Sequence, residues 1–401
     1  MKVLAISHTS ISYQAGMVRY DALARLTKWQ IKVIVPHRWN QYGHWVKPEL
    51  EPISEAQRSI CRLFTPPIPQ VFKRGMACQW YLSFYGHLLA RQIRDFQPDI
   101  LDIWEEPWSL MAAQATDLCR KFAPHCRIVI ETEQNCIRLL PPPFRWFQSN
   151  TLKRCDMAIA RSKGAADRLR FLGWQKPIRL IGNGVNTVFF QPFHPSEYEH
   201  DHPFTVGYVG RLAPEKGVDT LLHAMTRLPD DIHCILIGAG PQEPFLRRMV
   251  NRLGLSDRVQ FTGYLPFSEL PAAYRQLSLL AMPSRETATW REQFGRSGAE
   301  AMACGIPAIG SRTGSIPELL CEEGLLFPPD HPEQLAQLIL SLRINREKRK
   351  YLAANGRSRT VQRYSWWQIA CQLAESFEAC LDMNSGNWMG LKALPIKAEM
   401  K

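Results

Sequence analysis

Six short apolar runs punctuate the first part of the chain: KVLAIS (2–7), KVIVP (32–36), DILDIW (99–104), RIVIE (127–131), MAIA (157–160) and IRLIG (178–182). After residue 203 the rhythm restarts with FTVGYVG (204–210), HCILIGAG (233–240), VQFTGY (259–264), SLLAMPS (278–284), PAIGS (307–311) and GLLF (324–327). Helix-like stretches such as VDTLLHAMTRL (218–228) and PEQLAQLILSLR (332–343) lie between the runs. Strand–helix alternation of this kind predicts a parallel sheet with helices on both faces. Two such series predict two doubly wound α/β domains, and 401 residues exceed what one core usually serves.

The seam is FFQPFHPSEYEHDHP (189–203), rich in Pro, His and acid and without periodicity. The reading is therefore a first domain over 1–190, a linker over 191–203 and a second domain over 204–363. YSWWQIACQLAESFEACLD (364–382) carries Trp366, Ile369, Leu373 and Phe377 at helical spacing. It predicts a closing helix over 364–383, long enough to cross back to the first domain. Residues 384–401 show no pattern and read as a frayed tail.

Eleven scattered cysteines without Cys-x-x-Cys argue against a disulfide framework or a thiolate zinc site and suit a reducing cytosol. No His-rich ligand spacing appears, so no protein-held metal is expected. MKVLAISHTS lacks the apolar stretch of a signal peptide and reads as a first strand. No window reaches the roughly 18 apolar residues of a spanning helix. A cytoplasmic protein, at most peripheral on the inner face of the plasma membrane, is the expectation. Net charge is +12 and uneven: residues 1–200 hold 26 Lys+Arg and 16 Asp+Glu (+10), and residues 201–401 hold 23 and 21 (+2). A basic half of this kind serves nucleic acid, an anionic lipid surface or an acidic substrate, or is ordinary solvated surface.

Chemistry concentrates in REQFGRSGAEAMACGIPAIGS (291–311). A helix over 295–303, stopped by Gly305 and Pro307, puts Glu292 in the preceding loop and Glu300 on the helix body. Gly295 and Gly298 leave the first turn bare, so amide N–H groups and the positive dipole end face outward, as a diphosphate requires. Eight helical residues would separate the two glutamates by roughly 12 Å. That is wider than the roughly 5–9.5 Å of a hydrolytic carboxylate pair. Helix capping is the plainer role for both. In GRLAPEKGVDTLLHAM (210–225), Arg211 and Lys216 flank a turn at the end of a strand and can converge on one anion. GAGP (238–241) lacks the third glycine of a dinucleotide fingerprint and reads as a tight turn open to a ligand.

Together these residues resemble the retaining glycosyltransferases of family 4, which have the GT-B fold: two Rossmann-like domains facing a cleft. The likeness runs through GRLAPEKG (210–217), GAGP (238–241), FTGYL (261–265), MPS (282–284), EQFGRSGAEAMACGIPAIGS (292–311) and GSIPELL (314–320). The first half matches more thinly, at EEPWS (105–109), EQN (133–135) and NGVN (183–186) with Phe190 and Pro192. The resemblance implies that Glu292 opens an E-x7-E motif and contacts the donor sugar, and that Glu300 holds the ribose. It implies that Phe294 and Gly295 offer backbone amides and that Arg211 and Lys216 neutralise the diphosphate. Gly16, Gly210, Gly238, Gly240, Gly263 and Arg296 complete the implied donor site. Glu105, Glu106, Gln134 and Asn135 are acceptor-side candidates. Asp102 and Trp104 stand where many members carry histidines, and Asn186 stands where Asp is common.

By the same resemblance, the expected activity is that of a nucleotide-sugar-dependent hexosyltransferase, without metal or other cofactor. It would act on a glycan or a polyprenyl- or lipid-linked acceptor in cell-surface polysaccharide or glycolipid synthesis. VFKRGMACQWYLSFYGHLLARQIRDF (71–96) and PFRWFQSNTLKR (143–154) mix basic and aromatic residues and read as membrane-facing or as amphipathic core helices. A nucleotide-sugar epimerase or phosphorylase would keep the fold and change the chemistry. A nucleic-acid-binding module would use the basic half, but no recognition motif is present.

Overall fold

The computed structural model describes residues 1–41, 44–48, 56–61, 63–64, 83–192, 203–321 and 325–382. Residues 71–82 of the first basic–aromatic stretch, residues 193–202 of the seam and the tail lie outside them. The chain packs as two compact units. The first comprises Met1–Gln134, Arg138–Gly182 and the chain from Trp366; the second comprises Asn135–Ile137 and Asn183–Ser365.

The first unit holds an all-parallel sheet of β1 (Lys2–Ser7), β2 (Gln30–Pro36), β3 (Gln57–Cys61), β4 (Ile100–Trp104), β5 (Arg127–Thr132), β6 (Met157–Ala160) and β7 (Ile178–Leu180). Their spatial order is β7-β6-β5-β4-β1-β2-β3. β4 and β6 are buried at every residue, which is why they read as apolar runs, interrupted in β4 only by Asp102. β3 is the strand of this sheet that the sequence reading missed. As an edge strand pairing only with β2 it keeps polar residues, and Ile60 is exposed. Helices α1 (Val18–Thr27), α2 (His87–Phe96), α3 (Leu110–Phe122), α4 (Pro142–Arg154) and α5 (Lys163–Phe171) fill the connections. The Ser109 and Ser162 hydroxyls cap α3 and α5 by accepting from the amides of Ala112 and Ala165.

The second unit repeats the plan with β8 (Phe204–Val209), β9 (Ile232–Ile237), β10 (Val259–Gly263), β11 (Leu279–Met282), β12 (Ala308–Ser311) and β13 (Leu326–Phe327), ordered β10-β9-β8-β11-β12-β13. Its helices are α6 (Val218–Met225), α7 (Glu243–Arg252), α8 (Leu270–Arg275), α9 (Arg296–Ala303), α10 (Ile316–Leu320), α11 (Pro332–Ile344) and α12 (Arg346–Tyr364). Residues 183–190, assigned to the first domain from sequence, pack here instead. Phe190 is buried against Phe267 and Tyr274, and Arg357 donates to the carbonyls of Thr187 (3.1 Å) and Phe190 (2.8 Å).

The helix Trp366–Asp382 returns to the first unit. Trp366, Ile369, Leu373 and Phe377, the residues picked out by helical spacing, join Tyr20 and Leu23 of α1 in one buried cluster. Among the described residues no helix is long and apolar enough to cross a membrane.

Candidate functional site

In both sheets the strand order reverses beside the first strand, between β1 and β4 and between β8 and β11. Ligands of open α/β sheets bind outside the C-terminal strand ends at such switch points. In the second unit the loops leaving there are 210–217 and 283–295. They bring together Lys216, Ser284 and Glu292. Glu292 Oε2 accepts from Lys216 Nζ at 2.7 Å and from Ser284 Oγ at 3.1 Å. Trp290 lies beneath the ammonium, its centroid 4.6 Å from Nζ. The Glu292 carbonyl accepts from the Ser315 amide and hydroxyl, both at 3.0 Å, and from Asn135 Nδ2 at 2.8 Å. The residue is thus fixed through its main chain as well as its carboxylate.

Arg211 and Lys216 share the loop. Arg211 is paired with Glu215 and Lys216 with Glu292. The pairing follows from the loop's shape, because the single helical turn Pro214–Lys216 brings Glu215 back towards Arg211.

Gly295 precedes α9 in the left-handed region, at φ 88°. The exposed Arg296 and half-buried Ser297 open the helix, whose first amides have no intrahelical acceptor. Gly298, expected to bare this turn, has a different reason to be small: a Cβ there would lie 2.6 Å from Met282 Sδ of β11. Its role is close packing of helix on strand. Phe294 turns its ring into the core, against Tyr364 at 5.1 Å. Glu300 is buried on α9 and accepts from the Tyr274 hydroxyl at 2.7 Å, and burial raises its carboxyl above the usual range. The two glutamates therefore have separate partners, Lys216 and Ser284 for one and Tyr274 for the other, which does not suit a hydrolytic pair.

Gly210, Gly238 and Gly263 close the ends of β8, β9 and β10. The Gly238 amide donates to the Gly263 carbonyl at 2.9 Å, and that of Gly210 to Ile237 at 2.9 Å. Gly240 follows against the Leu212 carbonyl. Gly238 has φ 131°, and a Cβ on it would meet the Gly210 carbonyl oxygen at 2.0 Å. Gly238→Ala is expected to cost about 2–4 kcal/mol in urea denaturation, since both the backbone angle and a rigid neighbour oppose it.

At the first unit's switch point His8 follows β1, and Glu105 and Glu106 follow β4. Glu105 is buried and accepts from the His8 amide at 2.8 Å and from its Nδ1 at 2.9 Å. The His8 ring stacks on Trp39 with centroids 4.5 Å apart. Sequence reasoning passed over His8, although its place directly after the first strand was a usable signal. Gln134 accepts from Trp108 Nε1 at 2.5 Å, whereas Asn135 packs with the second unit. Gly16 is pressed on Ser10, whose amide nitrogen would lie 2.8 Å from an added Cβ, so a chain contact requires the glycine there.

Glu106 accepts from Thr132 Oγ1 at 2.7 Å and the Glu133 amide at 2.9 Å, yet burial pushes its carboxyl up to about 7. A carboxyl raised in the folded state contributes stability that is complete below its unfolded value and is lost as pH rises through the folded one. Stability should therefore fall between about pH 4.5 and 7 by up to about 3 kcal/mol. Glu106→Gln should flatten that slope in urea titrations at the two ends of the window.

Asp102 and Trp104 belong to a buried charge network. Arg19 donates to Glu131 and, at 3.2 Å, to Asp102, which also accepts from Tyr20 at 2.8 Å. Arg161 pairs with the second oxygen of Glu131. The guanidinium carbons of Arg19 and Arg161 lie 4.1 and 4.7 Å from the centroid of Trp104. Burial alone would raise Glu131, but Arg161 and Arg19 hold it down at about 2. Burial, reinforced by the charge of Glu131, pushes Asp102 well above the usual range.

Two family profiles meet at residue 189 and together span most of the chain. One described as Glycosyltransferase Family 4 matches residues 21–189, and one described as Glycosyl transferases group 1 matches 189–359. A GDP-mannose-dependent alpha-(1-6)-phosphatidylinositol monomannoside mannosyltransferase of Mycobacterium tuberculosis is 30% identical over 49% of this chain and 55% of its own length. A D-inositol 3-phosphate glycosyltransferase of Corynebacterium glutamicum is 32% identical over 50% and 51%. The chain thus spans about half the length of the curated relatives it matches. Among solved structures, Anabaena Alr3699/HepE in complex with UDP superposes with TM-score 0.69 at 19% identity, covering 94% of this chain and all of that one. Sucrose-phosphate synthase of Thermosynechococcus elongatus gives 0.71 at 21%, covering 96% and 100%. These likenesses establish the fold.

Proposed function

Since the chain belongs to the group 1 glycosyl transferases, with a family 4 first half and a GT-B fold, we propose that it moves a sugar from a nucleotide diphosphate to a lipid-linked or glycan acceptor, with retention of configuration. The observation that carries this reading is the Lys216–Glu292 pair, held 2.7 Å apart at the second switch point beside the start of α9. Cleaving a glycosyl–phosphate bond builds negative charge on the departing diphosphate. An ammonium, a nearby guanidinium and helix N-terminal amides are the groups that stabilise such charge. In the free protein Glu292 keeps Lys216 neutralised and in place. A bound diphosphate would take over the ammonium and free the carboxylate to accept from a sugar hydroxyl. Glu300, further along α9, would face the ribose. The leaving diphosphate would assist deprotonation of the acceptor on the same face, and the cations would do the work that a metal does elsewhere.

The acceptor is assigned to the first unit, at the edge carrying His8, Glu105 and Glu106. The named substrates of the mycobacterial and corynebacterial relatives, a phosphatidylinositol mannoside and an inositol phosphate, support an acceptor of this kind. The UDP complex of the Anabaena protein and the GDP-mannose dependence of the mycobacterial one support a nucleotide-sugar donor.

A thermal-shift panel of UDP, GDP, ADP and their sugar conjugates tests the donor. A ligand at about 100 times its Kd stabilises by about 2.7 kcal/mol. Labelled sugar should then appear in a lipid or glycan acceptor at a rate unchanged by EDTA, with the donor's anomeric configuration seen by NMR. An altered nucleotide sugar without transfer would favour the epimerase chemistry. No stabilisation by any nucleotide would overturn the reading.

A further inference from the structure

The segment between β5 and the body of α4 leaves the C-terminal edge of the first sheet, the edge that carries Glu105 and Glu106. It runs Leu139-Leu140-Pro141-Pro142-Pro143-Phe144-Arg145-Trp146. Leu139 is 87% exposed and Trp146 60%, and the three prolines are also exposed. The other face of α4 is occupied by its packing on α3.

From Pro141 onward the backbone here is prepared to leave water. Pro141, Pro142 and Pro143 bring no N–H group, so the donors a helix start normally exposes are reduced at source. The Leu140 carbonyl accepts from Arg145 Nε at 3.0 Å, and that of Pro141 from the amides of Phe144 at 3.0 Å and Arg145 at 3.2 Å. The helix ladder takes those of Pro142 and Pro143. Unsatisfied backbone is the main penalty on non-helical chain entering lipid, because lipid tails, unlike a protein partner, supply no donors or acceptors. Trp146, edge-on to Phe147 at 5.6 Å, is the residue type that settles at a bilayer interface. Residues 134–155 contain no acid and four cations. Of these, Arg154 pairs with Asp117, Arg138 lies over Trp108, and Arg145 and Lys153 are exposed.

We propose that Leu139–Trp146 inserts into the interface of an anionic bilayer, setting the acceptor edge of the first unit against the leaflet that carries a lipid-linked acceptor. The inference deepens the proposed reaction and rests on it only for the identity of what lies in that leaflet. The test sediments the whole chain with vesicles of phosphatidylglycerol and phosphatidylcholine in equal parts, and with phosphatidylcholine alone. Binding is expected to the anionic vesicles and to weaken in high salt. Leu139→Ser with Trp146→Ser should lower it about tenfold at an unchanged unfolding midpoint. Brominated lipid should quench a tryptophan signal that Trp146→Phe removes while binding persists.

Anionic-vesicle binding that the double variant retains, or none by the parent chain, would overturn the proposal. So would a concentration-dependent dimer abolished by the same variant, which would make this face a contact between copies. Transfer to a water-soluble acceptor should survive in the variant. Vesicle binding through Trp146 without any transfer would sink the proposed reaction and leave this inference standing. Transfer without vesicle binding would do the reverse.

Discussion

Lys216→Ala is expected to lower kcat/KM for sugar transfer by about 10²–10³-fold, the range seen when one preorganised donor to developing negative charge is removed. The same change should move stability by less than about 1 kcal/mol, because a partly exposed ion pair contributes little to folding. That split is the diagnostic. A lysine that merely pinned Glu292 would show its effect in unfolding, whereas one that meets the diphosphate shows it in turnover. Glu292→Gln keeps the shape of the loop and removes the charge, and should also be strongly impaired. Steady-state kinetics with the stabilising nucleotide sugar, beside urea denaturation of each variant, makes the measurement. Turnover within about threefold of the parent for Lys216→Ala would place the diphosphate elsewhere.

The largest stability effect is expected at Glu131. Glu131→Gln leaves Arg19 and Arg161 buried beside each other with one carboxylate fewer, and breaking a buried pair in this way costs about 3–5 kcal/mol. The acid side carries a sign test. Glu131 is held at about 2 by Arg161 and Arg19 against the effect of burial. Its contribution is therefore present above its unfolded value of about 4.5 and is lost as pH falls from there towards 2. The glutamine variant should lack that part of the acid loss. Asp102→Asn should cost much less, about 1 kcal/mol, because burial already favours the neutral form of that carboxyl. Urea midpoints at neutral pH and near pH 3.5 separate the two.

The architecture was largely legible because strands buried on both faces are predominantly apolar, and β4, β5 and β6 announce themselves that way despite the buried Asp102 and Glu131. β3 was not, because an edge strand with polar residues carries no such mark. The E-x7-E stretch disclosed both glutamates, but not that Lys216 would hold one and Tyr274 the other, since those partners lie 76 and 26 residues away along the chain. Gly298 illustrates a subtler limit. Its smallness was visible, whereas its cause, the sulfur of Met282, depends on how a helix lands on a strand. Asp102 looked like a simple departure from pattern, and only the approach of Arg19, 83 positions earlier, shows what supports it.

The return of Trp366–Asp382 onto α1 has a consequence for biosynthesis. The second unit, drawn almost wholly from one uninterrupted stretch, can mature as soon as that stretch clears the ribosome. The first unit is begun earlier and completed later: until Trp366, Ile369, Leu373 and Phe377 arrive, the cluster that buries Tyr20 and Leu23 lacks one of its sides. A chain cut before Trp366 would therefore keep this part of the first unit's core incomplete.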